Sequence, residues 1–143
     1  MPRTQPFESL RAGDELPVVE RTIDAQQLIR FAGAANDYSR PHWDHAYMVE
    51  QGFPGVIVHG WLTVSVMFQA VTAWIPLETA DFRRFQVRYL QPNLPGRAFY
   101  RGRVTGKSVQ DASRLLELEV WAETAAGVRL AVSHVTLSFA NDS

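Results

Sequence analysis

The sequence predicts an α+β fold in which a curved antiparallel sheet wraps around one long helix, and three observations carry that prediction. Residues 59–75 (HGWLTVSVMFQAVTAWI) contain no charged side chain and are apolar on every side of a helical wheel, so as a helix they must bury most of their surface. After Pro76 the pattern changes to alternating apolar and polar residues, the period of a strand with one apolar face. Two gaps of hairpin length, at residues 110–113 and 125–127, then divide the second half of the chain into successive antiparallel partners.

The first half supplies shorter elements. Residues 1–13 form an irregular lead-in punctuated by Pro2, Pro6 and Gly13. Residues 16–22 (LPVVERT) are β-branched and apolar and read as a first strand. Asp24 followed by Gln27 has the form of a capping box. Leu28, Ile29, Phe31 and Ala32 then supply the buried face of a short helix. Gly33 and Asn36 weaken that helix, and Pro41 stops it from continuing. Asp44 can cap a second short helix through residues 46–51, residues 52–55 (GFPG) are a turn, and residues 56–58 make a brief apolar approach to the long helix.

Thr63, Ser65, Gln69 and Thr72 break the apolar surface of the long helix, and no Lys or Arg cluster flanks it. It therefore reads as a core helix rather than a membrane span. Beyond it, Phe82, Arg84, Gln86, Arg88 and Leu90 form one strand face and Phe85, Val87 and Tyr89 the other. Residues 91–96 (QPNLPG) have turn chemistry. Strands over 98–109, 114–124 and 128–139 complete a four-strand antiparallel meander. An unpaired sheet edge is an association surface, so a homodimer or higher oligomer is expected.

At 143 residues the chain suits a single domain spanning 1–143. The formal net charge of -1 gives no general attraction to nucleic acid or to an anionic membrane. Residues 82–110 nevertheless contain no acid, against Arg83, Arg84, Arg88, Arg97, Arg101, Arg103 and Lys107. That run reads either as a solvated sheet face or as a surface for phosphates or an acidic carrier protein. It lacks the aromatic interleaving of an RNA-reading sheet. The absence of cysteine removes disulfides, thiolate metal sites and a cysteine nucleophile. No apolar leader segment is visible, so the cytoplasm is the expected compartment.

The densest polar cluster is residues 36–45, NDYSRPHWDH. Asp37 and His42 are five positions apart and converge only if the chain turns between them, which Pro41 favours. Together such a pair can hold a water and move its proton. The competing reading makes Asp37 and Asp44 helix caps and His42 a structural histidine. A metal reading would use His42 and His45 with Asp44 or Asp37. It lacks a third ligand fixed by spacing and a Glu placed as a base, so no metal is expected. His59 and Gly60 open the long helix, where unpaired N–H groups and the positive end of the helix dipole can stabilise negative charge on a carbonyl oxygen. His59 itself reads equally as a buried structural residue. No G-x-S-x-G elbow or phosphate-binding glycine loop is present.

The stretch FAGAANDYSRPHWDHAYMVEQGFPGVIVHGWLTVS resembles the signature region of the MaoC-like (R)-specific enoyl-CoA hydratases and 3-hydroxyacyl dehydratases. Phe31, Ala32, Asp37, His42, Asp44, Ile57, His59, Gly60 and Leu62 occupy matching positions. The resemblance implies a hot-dog fold working as a dimer, with the curved sheet around the central helix. It implies that Asp37 and His42 activate the water that adds to a trans-2-enoyl thioester, or remove it in the reverse direction. Gly60 would bind the thioester carbonyl, with Ser65 and His59 supporting. The substrate would be a thioester of coenzyme A or acyl-carrier protein, with no cofactor. The family's Asn-Pro is Ser39-Arg40 here, with the proline one place later, at Pro41. Arg40, placed between the dyad residues, and Trp61, at a position often Met, are candidate substrate contacts. A silent subunit of a heteromeric dehydratase and a hot-dog thioesterase are the alternatives that the same fold admits.

Overall fold

The computed structural model describes residues 6–111 and 113–139. Strand β1 (Val19–Ile23) leads into helix α1 (Ala25–Ala35), helix α2 (His45–Glu50) and the long helix α3 (Gly60–Trp74). Strands β2 (Ala80–Tyr89), β3 (Gly96–Gln110), β4 (Ser113–Thr124) and β5 (Arg129–Phe139) follow. All pairings are antiparallel, and the strand order across the sheet is β1-β3-β4-β5-β2.

The sheet curves around α3. Met67, Ala70 and Val71 of the helix are buried against Tyr100, Leu118, Val120, Ala131, Val135 and Leu137. The caps expected from the sequence are formed. Asp24 and Gln27 make both halves of a capping box at α1, and the Asp44 carboxylate accepts from Tyr47 N–H at α2. Among the described residues no helix is long and apolar enough to cross a membrane.

Several expectations are corrected. The meander has three strands, not four, because β2 pairs with β5 and not with β3. Pro92 and Pro95 bar a ladder through the β2–β3 link. Leu90 and Gln91 both donate to Leu130 O, and the link then crosses to the approach of α3, where Val58 N–H meets Asn93 O at 2.7 Å. The two faces of β2 are also redrawn. A bulge between Phe82 and Arg84 shifts the register, so Phe82 joins Phe85 and Val87 on the core side. In α1 the buried contacts are Leu28 and Ala32, while Ile29, one helical step round, is 68% exposed.

The β3 part of the basic run is partnered in space, while Arg83, Arg84 and Arg88 of β2 are exposed. Arg97 pairs with Glu20 of β1, Arg101 with Glu123 and Arg103 with Glu119 of β4, and Lys107 donates to the carbonyls of Phe7 and Leu10. Antiparallel neighbours far away in sequence supply the acids that the run itself lacks. The long helix is not wrapped on all sides either. Thr63, Val64, Val66, Met67, Ala70 and Val71 are buried, whereas Trp61, Ser65, Phe68 and Gln69 lie on an outward face.

Candidate active site

Two backbone events bring the polar loop to the start of α3. Asn36 ends α1 in the left-handed conformation (φ 52°, ψ 38°), which asparagine tolerates better than most residues. The N–H groups of Asn36 and Asp37 both turn back onto Ala32 O. The chain then tightens into a 3₁₀ turn over Arg40–His42, with Pro41 in its first positions. Two bonds tie this turn to the approach of α3: Ile57 N–H donates to Pro41 O, and His42 Nδ1 donates to Ile57 O, each at 2.9 Å.

The second bond fixes the histidine's chemistry. A carbonyl can only accept, so His42 carries a proton on Nδ1, and in the neutral ring Nε2 is the acceptor. His42 Nε2 stands 3.9 Å from Asp37 Oδ2, too far for a direct hydrogen bond and suited to one water accepted by both. Asp37 Oδ1 accepts from the Ser39 hydroxyl and from Ser39 N–H. Those two bonds, the hydroxyl foremost, hold the Asp37 carboxyl below its ordinary value. Asp37 is thus an ionised acceptor with one oxygen occupied and one turned to His42. It is not a helix cap.

His59 lies behind this pair. It is 1% exposed, stacks on His42 with ring centroids 3.8 Å apart and planes 21° apart, and also packs against Phe31. Its Nε2 donates to the Asp37 carbonyl at 3.2 Å, leaving Nδ1 buried without a partner among the described residues. Burial pushes the His59 imidazole below its ordinary value, so it is a neutral ring that fixes the Asp37 backbone and supports the His42 plane.

Gly60 is the first residue of α3, and neither its N–H nor that of Trp61 has a backbone acceptor among the described residues. Both belong to the unpaired first turn of the helix. His42, Gly60 and Thr63 line one cavity of about 360 Å³ whose remaining wall is mostly apolar: Phe53, Ile57, Val58, Leu90, Leu130 and Ala131. Tyr89, Gln91, Pro92 and Asn93 complete it. Asn93 is buried and donates to Thr63 Oγ1 at 3.0 Å. Sequence reasoning did not place Thr63, Tyr89 or Asn93 in this wall. Asn93 sits in a segment that turn chemistry already accounts for, Tyr89 continues a strand's alternation, and Thr63 is one polar residue in an apolar helix.

The other sequence candidates lie elsewhere. Arg40 donates twice to Asp44 Oδ2 and lies over the Tyr47 ring, away from the gap between Asp37 and His42. Trp61 is 69% exposed on the outward face of α3, and the Ser65 hydroxyl beside it donates to Trp61 O. Neither lines the cavity. His45 packs against Gly55, apart from His42, so the histidine pair weighed as metal ligands is not assembled. Asp37, His42 and His59 do offer ligand atoms within 4.8 Å of one another, and each histidine gives its other ring nitrogen to a carbonyl.

Comparison with known proteins points one way. The family profile described as "MaoC like domain" matches residues 9–126. Protein MaoC of Klebsiella aerogenes is 28% identical over 91 residues, which are 63% of this chain and 27% of that protein. The chain thus spans about a quarter of that relative's length. The structure of an (R)-hydratase from A. caviae involved in PHA biosynthesis superposes with a TM-score of 0.81 at 18% identity, over 93% of this chain and 99% of the other. A chain of the ChsH1-ChsH2 complex from Mycobacterium tuberculosis superposes with a TM-score of 0.77 at 23% identity, over 91% and 98%. At these identities the two structures show a shared hot-dog fold.

Proposed function

The chain belongs to the MaoC-like dehydratase family, and on that premise we propose that it hydrates trans-2-enoyl thioesters to (R)-3-hydroxyacyl thioesters, or runs the reverse dehydration. The observation that carries this reading is the 3.9 Å gap between an ionised Asp37 oxygen and Nε2 of His42, beside an apolar cavity that reaches the start of α3. A water accepted by both is held for attack. As its oxygen bonds to Cβ, the pair takes up one of its protons, the double-bond electrons move toward the thioester carbonyl, and a proton is returned to Cα. Charge builds on the carbonyl oxygen in between. Gly60 N–H is the group placed to stabilise it. The apolar wall suits an acyl chain, and a carrier of the coenzyme A or acyl-carrier-protein type would hold the thioester.

A second copy of the chain completes the assembly in this reading. The outer edge of β2 has no strand partner among the described residues. Beside it, Trp61 and Phe68 on α3, with Phe68 stacked on Phe82, present aromatic surface to solvent. Free edge and apolar face together favour a dimer. A different hot-dog chain at the same face is the second reading, favoured by the likeness to a two-protein complex.

The test is a hydration screen of the purified protein over short, long and carboxylated enoyl-CoA substrates, following loss of the enoyl absorbance with chiral analysis of the product. The (R)-alcohol is the expected product. Release of free coenzyme A without hydration would make the protein a thioesterase instead. Activity that appears only when a second hot-dog protein is added would favour the heteromeric reading.

A further inference from the structure

We propose that Tyr89 is a second hydrogen-bond donor to the thioester carbonyl, acting beside Gly60 N–H. This rests on the hydratase reading. The placement comes from the end of β2, the strand that runs along β5 and leaves the sheet just after this residue. There the tyrosine ring lies across the first residue of α3. A Cβ built on Gly60 would stand 2.8 Å from the Tyr89 hydroxyl oxygen and 2.9 Å from Cζ. Gly60 is therefore the residue that lets this hydroxyl approach the helix start, and its lack of a side chain serves the tyrosine as well as a ligand.

Three further facts give the hydroxyl a task. It lines the same cavity as His42 and Gly60. It makes no hydrogen bond among the described residues, so its proton is uncommitted. Burial pushes the phenol above its ordinary value, so it remains a donor throughout the neutral range. The Gly60 N–H and the Tyr89 O–H border the same few ångströms of space. An oxygen about 2.7–3.1 Å from a donor is well placed for charge stabilisation, and a carbonyl oxygen seated there meets both groups. The charge developing on that oxygen is then shared between an amide and a phenol, although Tyr89 as a whole is 51% exposed.

The test is Tyr89→Phe, which keeps the ring and removes only the donor. With crotonyl-CoA as probe, kcat should fall roughly 10²-fold, as for loss of one oxyanion donor, with KM changed little. A wall or gate role predicts the opposite split, with KM moving and kcat preserved. A readout free of turnover uses the Asp37→Asn protein to hold intact crotonyl-CoA while the thioester carbonyl stretch is followed by isotope-edited infrared spectroscopy. Binding should lower that frequency, and adding Tyr89→Phe should restore part of it. A lowered frequency that Tyr89→Phe leaves unchanged overturns the role of Tyr89 while leaving the hydratase reading intact. No hydration by the wild-type protein of any enoyl thioester in the screen overturns both.

Discussion

The loop that carries Asp37 and His42 and the outward face of α3 both contain residues that the sequence nominated for the site, yet only the loop delivers them to one place. The loop is fixed by backbone: the left-handed Asn36, the 3₁₀ turn at Pro41, and bonds from Ile57 and His59 to its carbonyls and ring. Its side chains have little choice of direction. Trp61 and Ser65 lie on a helix face that no other part of the described chain covers, so their direction follows from the helix alone. Several backbone bonds fix where the loop's side chains point, while nothing in the described chain fixes those on the open face.

The sharpest way to break that comparison is to mutate both regions and read turnover. Asp37→Asn and His42→Ala should each reduce kcat by roughly 10²–10⁴-fold, the contribution of a positioned acid or base, with folding retained by circular dichroism. Ser65→Ala, whose hydroxyl only returns to the Trp61 carbonyl, should change kcat by less than about threefold. Comparable losses from Ser65→Ala and Asp37→Asn would mean that the outward face belongs to the site.

The next largest contrast lies within α3. Met67, fully buried against the sheet, should lose about 2–5 kcal/mol of stability when changed to alanine. Phe68, one position on and 37% exposed, should cost the isolated fold much less. Chemical denaturation of both variants at low protein concentration separates them. Equal losses would show that the outward face is packed within a single chain.

Association tests the outward face directly. Trp61→Glu and Phe68→Glu place a charge where aromatic surface meets solvent, and buried aromatic anchors typically contribute about 2 kcal/mol or more to an interface. Light scattering should show a dimer for the wild-type chain and a shift toward monomer in both variants, with far-ultraviolet spectra unchanged. A monomeric wild-type protein, or variants that remain dimeric, would remove the second copy from the proposal.

The same distinction explains what could be read from the sequence. Elements with strong local signals were legible to within a residue or two: the capping box at Asp24, the Asp44 cap, the uncharged helix, and the two hairpins that join β3, β4 and β5. The signature stretch also led to Asp37, His42, His59 and Gly60, which the structure gathers at one end of α3. Pairing at a distance was not legible. Alternation alone could not reveal that β2 joins β5, and one extra residue at the bulge exchanged the face of Phe82. The acids that meet Arg97, Arg101 and Arg103 lie on other strands, so the sequence could not show which part of the basic run is paired. Asn93 reaches the cavity because the proline-rich link crosses to the approach of α3, and Tyr89 because β2 ends beside it.

The smallest expected effect is a pH dependence of stability that belongs to the loop side of the comparison. Burial holds the His59 imidazole below its ordinary value of 6.5, so the unfolded chain binds that proton more readily than the folded one. The folded state therefore holds its full advantage above pH 6.5 and loses it as pH falls from there through the lower folded value. Asp37, also lowered, behaves with the same sign but in a window below its ordinary 3.8, so it does not contribute between pH 7 and pH 5. Thermal melts of the wild-type protein should decline across that range, and His59→Gln, which keeps a side-chain N–H for the Asp37 carbonyl, should flatten the decline even if it lowers stability at pH 7. An unchanged slope in the variant would mean that His59 is protonated as easily in the fold as out of it, and that its unpartnered Nδ1 finds a proton and an acceptor inside the site.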